Sequence, residues 1–261
     1  MIDTHQNTIL EGDCIKILPE IPDHSIDLVI ADPPYYIMTK SDLTFKTRSA
    51  IRQSSAFDEV FKSYAEFLVF TENWIRVLIP KLKENASFYC FFATQFLTDL
   101  LRIGEKYGLV RKNILVWNKS NPAIRVRKTN YLSSYESIIF FVKNYPTFNF
   151  TEMNQMHNCV TYPLPSQQER LKNAQGDSLH PTQKPLSLIK HLILVSSQKK
   201  EVVCDPFAGT GTTNVACLEL GRYCIGIELN AEYQQAGTQR LGHLKQRYGR
   251  FMDQLSLRTY F

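Results

Sequence analysis

Two periodicities divide this chain. Short, almost wholly apolar runs at residues 26–31, 86–92, 112–117, 136–142, 202–205 and 223–228 predict strands, and longer segments near 62–79, 94–107, 185–196, 212–220 and 231–247 carry helical spacing. Strands alternating with helices predict an α/β fold with a mostly parallel sheet covered on both faces. The runs 112–117 and 136–142 break that alternation. A basic segment without helical pattern joins them, which predicts an antiparallel pair at one edge of the sheet. No internal repeat or low-complexity tract interrupts the pattern.

Composition narrows the class. A chain of 261 residues with 44% hydrophobic content can bury a large core, so one domain with a short insert is expected. No apolar stretch reaches the roughly 18 residues of a membrane span, and Met1-Ile2-Asp3-Thr4-His5 lacks a basic segment followed by an apolar one. The expectation is a soluble, cytoplasmic protein with no membrane partner. Six cysteines (Cys14, Cys90, Cys159, Cys204, Cys217, Cys224) are scattered without a C-x-x-C pair, so free buried thiols are expected, with no metal site and no disulfide framework.

The net charge of +5 is mild, but its placement is uneven. Residues 118–131 carry Lys119, Arg125, Arg127 and Lys128 with no acid, and residues 38–57 carry Lys40, Lys46, Arg48 and Arg52 against Asp42 alone. Either segment by itself reads more readily as a solvated loop. Two of them in an otherwise balanced chain suit a polyanion-binding face.

The chemistry gathers at two strand ends. The run Ser25-Ile26-Asp27-Leu28-Val29-Ile30-Ala31 leads directly into Asp32-Pro33-Pro34-Tyr35. Two prolines fix φ near about −65° and remove two donors, leaving a rigid corner that offers acceptors. The Asp32 carboxylate and the Pro33 carbonyl can take the two hydrogens of an exocyclic amine while Tyr35 stacks on its ring. Taken alone, the string also fits an ordinary strand-to-loop corner.

The second strand end is Val202-Val203-Cys204-Asp205-Pro206-Phe207-Ala208-Gly209-Thr210-Gly211-Thr212-Thr213, followed by a helical run ending at Gly221 and by the strand Tyr223–Glu228. Strand, Gly-rich bend, helix and a second strand ending in an acid make half of a nucleotide-binding unit, with Glu228 placed to accept from ribose hydroxyls. Asn214 stands where the dinucleotide fingerprint has its third glycine. A pyrophosphate ligand is therefore disfavoured, and an adenosine-bearing ligand without phosphates is preferred.

With both motifs in view, the chain resembles the β group of S-adenosylmethionine-dependent DNA amino-methyltransferases. In that family a D/N/S-P-P-Y/F motif precedes the F-x-G-x-G motif, as Asp32 precedes Phe207-Ala208-Gly209-Thr210-Gly211 here. Further matches are Gly12-Asp13-Cys14, His180-Pro181-Thr182-Gln183-Lys184-Pro185 and Gly226-Ile227-Glu228-Leu229-Asn230. The resemblance spans nearly the whole chain. It implies a Rossmann-like class I methyltransferase fold with circularly permuted motif order, a seven-stranded sheet of order 3-2-1-4-5-7-6, and an antiparallel edge hairpin.

The resemblance also implies roles. Asp32, Pro33, Pro34 and Tyr35 are the expected catalytic residues, acting on an adenine N6 amine flipped out of double-stranded DNA. Asp13 with Cys14, Asp32, Thr182, Lys184, Asp205, Phe207, Gly209, Gly211, Thr212 and Glu228 are the expected S-adenosylmethionine contacts: Asp13 on the adenine amino group, Glu228 on the ribose, the 207–211 turn on the methionine moiety, and Thr182 or Lys184 on the carboxylate end. The basic residues of both segments are the expected DNA contacts. Plainer readings stand beside these. Asp13 also suits the cap of a short helix at 14–18, Lys184 a solvated charge, His180 a turn, and Trp74 and Trp117 core packing.

On this reading 1–261 is one catalytic domain: 1–143 the catalytic half, 144–179 a target-recognition insert rich in Asn, Gln, Pro and Ser, and 180–261 the cofactor half. Aspartate at the first motif position usually accompanies adenine in the family, with cytosine N4 as the near alternative and a non-catalytic, nucleotide-dependent DNA-binding module as the distant one. A homodimer and a cognate restriction endonuclease are partners that the resemblance leaves open.

Overall fold

The computed structural model describes residues 2–36, 61–122, 131, 133–153 and 156–258, with side chains described as far as residue 247. Strands β1 (Asn7–Glu11), β2 (Ile26–Ala31), β3 (Leu82–Phe92), β4 (Val110–Lys119), β5 (Tyr135–Val142), β6 (Cys159–Tyr162), β7 (Val202–Asp205) and β8 (Tyr223–Glu228) form one sheet in the order β1-β8-β7-β2-β3-β5-β4-β6. Helices α1 (Cys14–Ile17), α2 (Tyr64–Leu78), α3 (Leu97–Lys106), α4 (Leu186–Ser196), α5 (Thr212–Leu220) and α6 (Ala231–Arg258) connect and cover it. Counted from β7, the first seven strands follow the expected order 3-2-1-4-5-7-6. Only β5 runs against its neighbours β3 and β4.

Two strands escaped the periodicity. Strand β1, Asn-Thr-Ile-Leu-Glu, buries only Ile9, and β6 is four residues long and buries only Val160. Because β6 pairs in parallel outside β4, the β4/β5 hairpin is not the sheet edge that was expected, and the sheet has eight strands.

Alternate residues of the central strands feed two cores, as the two-residue period requires. Val29 and Ala31 of β2 with Phe88, Cys90 and Phe92 of β3 join Phe67 and Trp74 of α2 on one face. Leu28 and Ile30 with Tyr89 and Phe91 join Leu188, Leu192, Ala216 and Cys217 of α4 and α5 on the other. Both faces are covered, which explains the unbroken apolar runs. Trp74 and Trp117 are fully buried packing residues, and the Trp117 indole donates to the Tyr162 carbonyl at 2.9 Å. Cys159 is exposed, contrary to expectation, while the other five thiols are buried. Among the described residues, no helix is long and apolar enough to cross a membrane.

The chain leaves β7 through α5 toward β8, and leaves β2 through α2 toward β3 on the opposite side. The carboxyl ends of β7 and β2 therefore flank a topological switch point, where an open α/β sheet has a ready crevice. The antiparallel β5 carries the chain to the far end of the sheet, where Asn149 is tied to the carboxyl end of α4 through Leu194 O at 2.7 Å and Ser197 O at 3.0 Å. Strand β6 brings it back. Residues 144–153 and 156–158 thus lie away from the crevice, whereas residues after Tyr162 return to it.

Candidate active site

At the switch point lies a cavity of about 310 Å³. It is lined by Asp13, Cys14, Asp32, Pro33, Pro34, Tyr35, Thr182, Lys184, Asp205, Phe207, Gly209, Thr212 and Glu228, so five motifs spread over the chain converge on one space. Gly211 is the expected residue that does not line it. Its φ of 75° starts α5, and a Cβ there would stand 2.6 Å from Ile9 Cδ1, so its part is to let the bend pack beneath β1.

The bend after β7 is held by the groups that shape the cavity. Asp205 accepts from Phe207 N at 3.0 Å and from Thr213 Oγ1 at 2.5 Å; burial pushes its carboxyl up to about 7. Glu228 accepts from Gly209 N at 2.7 Å and from Asn230 N at 2.8 Å, which leaves a lone pair on each oxygen for a ligand hydroxyl. The missing third glycine is explained by Gly226. A Cβ there would meet Asn214 Oδ1 at 2.5 Å, so the strand rather than the helix gives up the side chain that close approach forbids. Phe207 stands edge-on to Trp74 at 5.2 Å. Asp13 does cap α1, through Ile15 N at 2.9 Å, and it also lines the cavity.

At the other wall the corner after β2 is braced by Tyr36, which the sequence did not single out. Its ring stacks on Phe67 at 6.2 Å and packs near Phe96 at 6.0 Å. Asp32 sits in a row of alternating charge. Its Oδ1 accepts from the Tyr35 hydroxyl at 2.7 Å and its Oδ2 from the Lys184 ammonium. Lys184 lies 3.4 Å from Glu136 Oε2, and Glu136 Oε1 lies 2.8 Å from Lys119. Lys184 also stands over the Phe91 ring at 5.0 Å. Burial raises the Asp32 pKa against the pull of Lys184, while Lys184 is held protonated because Asp32 and Glu136 more than offset its own burial. Asp32 keeps 22% of its side-chain surface accessible, so a substrate can reach it.

Three expectations change here. Tyr35 is more than a stacking ring, because its hydroxyl is committed to Asp32. Lys184 is neither a solvated charge nor free for a ligand's carboxylate end. Lys119 is only 14% exposed, paired with Glu136 and placed over the Trp117 ring at 5.3 Å, so it is not a free surface cation for DNA. The other basic residues assigned to DNA (Lys40, Lys46, Arg48, Arg52, Arg125, Arg127 and Lys128) lie outside the described residues. His180 is a turn residue, as expected, accepting from Thr182 N at 3.3 Å; burial lowers its pKa to about 4, so it lines the cavity uncharged.

Among the described residues, the cavity wall thus presents four acidic side chains, Asp13, Asp32, Asp205 and Glu228, against the single ammonium of Lys184. That balance repels phosphates and favours a cationic nucleoside. S-adenosylmethionine, with a sulfonium, an ammonium and two ribose hydroxyls, fits this donor set.

A DNA methylase family model of the N6/N4 type matches residues 26–239. The chain belongs to this family. It is 34% identical over 256 residues to the type II methyltransferase M.HinfI of Haemophilus influenzae, covering 94% of this chain and 70% of the relative. It is 32% identical to the type II methyltransferase M2.MboI of Moraxella bovis, covering 91% and 88%. Among solved structures, an M1.HpyAVI–SAM complex is similar with a TM-score of 0.66 at 25% identity over 90% of this chain and 98% of that one. The PvuII DNA methyltransferase, described as cytosine-N4-specific, shares the fold with a TM-score of 0.70 at 19% identity, covering 90% and 86%. This N6/N4 methyltransferase is therefore an S-adenosylmethionine-dependent enzyme acting on an amino group of a DNA base.

Proposed function

We propose that this enzyme methylates the N6 amine of adenine within a short sequence of double-stranded DNA, acting on a base flipped out of the duplex. The observation that carries the reading is the Asp32 carboxylate. It stands at the rim of the cofactor cavity, fixed by Tyr35 and Lys184 and still open to a ligand. A carboxylate and the neighbouring Pro33 carbonyl accept both N–H bonds of an amine, which favours a tetrahedral nitrogen and stabilises the positive charge developing on it. In this family an aspartate at that position usually accompanies adenine.

When bound, S-adenosylmethionine supplies a methyl group activated by its sulfonium. Glu228 holds the ribose hydroxyls, Asp13 the adenine amino group, Asp205 and the 207–209 turn the methionine ammonium, and Thr182 the carboxylate. With the methyl already activated, the protein's work is to place the amine in line and exclude water. The target base stacks on Tyr35 after leaving the duplex, at a cost of a few kcal/mol.

Target recognition falls to residues 163–179, the part of the expected insert that returns to the crevice, together with the segment between Lys119 and Tyr135. The type II designation of both relatives supports a role in restriction–modification beside a cognate endonuclease. Modification mapping of DNA from cells expressing the protein tests the reading: N6-methyladenine in one short context is expected, and N4-methylcytosine would transfer the assignment to the other branch.

A further inference from the structure

The row of charges behind Asp32 runs past what amine binding requires. Asp32 needs one cation to hold it in place, and Lys184 supplies that. Yet Lys184 faces a second carboxylate, Glu136 on β5, which in turn faces Lys119 on β4. Glu136 keeps 27% of its side-chain surface and Lys184 9%, so water screens this group weakly. A charged residue second in a strand that runs on into Ile138-Ile139-Phe140-Phe141-Val142 is costly unless it has a task.

We propose that Glu136 is a positioning residue: by sharing the Lys184 ammonium with Asp32, it keeps the Asp32 carboxylate able to accept the substrate amine. The inference rests on the amino-methyltransferase reading above. Lys184 is already in direct contact with Asp32 and stands 3.4 Å from Glu136; without Glu136 its whole charge would serve Asp32, and the amine would compete with a fully committed cation. Glu136 draws part of that charge away. Lys119 sets how strongly it draws, since its own ammonium neutralises part of Glu136.

The groups facing Asp32 are Tyr35 on its own loop, Lys184 from the loop before α4, Glu136 on β5, Cys90 on β3 and Asp205 at the end of β7. Among the described residues, Glu136 alone of these is paired with a further ion, Lys119. The arrangement makes two variants move Asp32 in opposite directions. Glu136→Gln removes a negative charge and releases Lys184 toward Asp32, so the Asp32 pKa falls. Lys119→Met leaves Glu136 uncompensated, so the Asp32 pKa rises. The shared Lys184 ammonium puts the two carboxylates within about 6 Å of each other; at an effective dielectric constant of about 20 a full unit charge at that distance shifts a pKa by about two units, and Lys119 already neutralises part of Glu136, so about one unit is expected.

The test uses the full chain without ligand. Carbon-13 NMR of protein labelled at the aspartate carboxyl carbons, with the Asp32 line assigned by Asp32→Asn, follows the Asp32 midpoint against pH. Expected are a midpoint lower by about one unit in Glu136→Gln and one higher by a similar amount in Lys119→Met. In turnover assays at saturating DNA, Glu136→Gln should lose about tenfold in kcat, the equivalent of that unit, with its calorimetric cofactor Kd within about threefold of wild type. Unmoved midpoints, or shifts of the same sign in both variants, overturn the proposal. If Glu136→Gln fails to fold, the sign of the Lys119→Met shift decides alone. A wild-type protein that transfers no methyl to DNA would refute the functional reading while leaving the two midpoints standing, so the two failures are distinguishable.

Discussion

Replacing Tyr35 with phenylalanine separates the two roles the structure gives this residue. The substitution keeps the ring, which faces Phe92 edge-on at 6.4 Å, and deletes the hydroxyl that donates to Asp32 Oδ1 at 2.7 Å. A hydrogen bond to a charged acceptor contributes about 1.5–3 kcal/mol, and the orphaned Oδ1 sits where water cannot fully replace the donor. Lost in the transition state, that is about a 10- to 150-fold drop in kcat. The same hydroxyl helps hold the Asp32 carboxyl down against burial, so the acidic limb of the kcat profile should move to higher pH. Tyr35→Ala removes the ring as well and should lose a further 1–3 kcal/mol or so of base stacking. The assay is steady-state methyl transfer to DNA across pH 5.5–8.5 or thereabouts, with 2-aminopurine fluorescence at the target reporting extrusion of the base. A Tyr35→Phe enzyme within about twofold of wild type, with an unmoved acidic limb, would refute the argument that the hydroxyl orients Asp32.

Other consequences follow from the geometry. Asp205, raised to about 7 by burial, must ionise to face a cationic ligand, so cofactor affinity should weaken about tenfold per unit as pH falls below 7, and Asp205→Asn should flatten that calorimetric profile. Gly226→Ala drives a Cβ into Asn214 Oδ1 and Ala208 Cβ, and urea denaturation should show a loss of about 1–3 kcal/mol; a loss under about 0.5 would mean that α5 can retreat from β8 freely. Exchange of residues 163–179 for those of a relative with another target should change the methylated sequence, whereas exchange of 144–158 should not; mapping of modified bases decides between them.

Much of this was legible in the sequence, and what was not has physical causes. The strands covered on both faces announced themselves as apolar runs, and the two acidic strand ends at Asp32 and Asp205 are where the cavity opens. Strand β1 was hidden because its position at the sheet margin buries one side chain of five. Glu228 was placed by the pattern of strand, bend, helix and strand, Asp13 and Thr182 by the family resemblance, and all three line one cavity. Glu136 was missed although a clue was present, namely an acid near the head of a mostly apolar strand, because no local pattern links it to Lys184 in a distant loop. Lys119 was misread for a related reason. A cation counted within a basic segment looks free until the sheet register sets Trp117 opposite Glu136 and brings the carboxylate within reach of the next residue but one.

The central claim is that an Asp32-centred site transfers a methyl group to adenine N6 in DNA. Purified protein incubated with S-adenosylmethionine and unmethylated duplex DNA, followed by nucleoside mass spectrometry, should give N6-methyladenine, and Asp32→Ala, folded and with a cofactor Kd within about fivefold of wild type, should give none. N4-methylcytosine as the product, or turnover by Asp32→Ala within about tenfold of wild type, would contradict it.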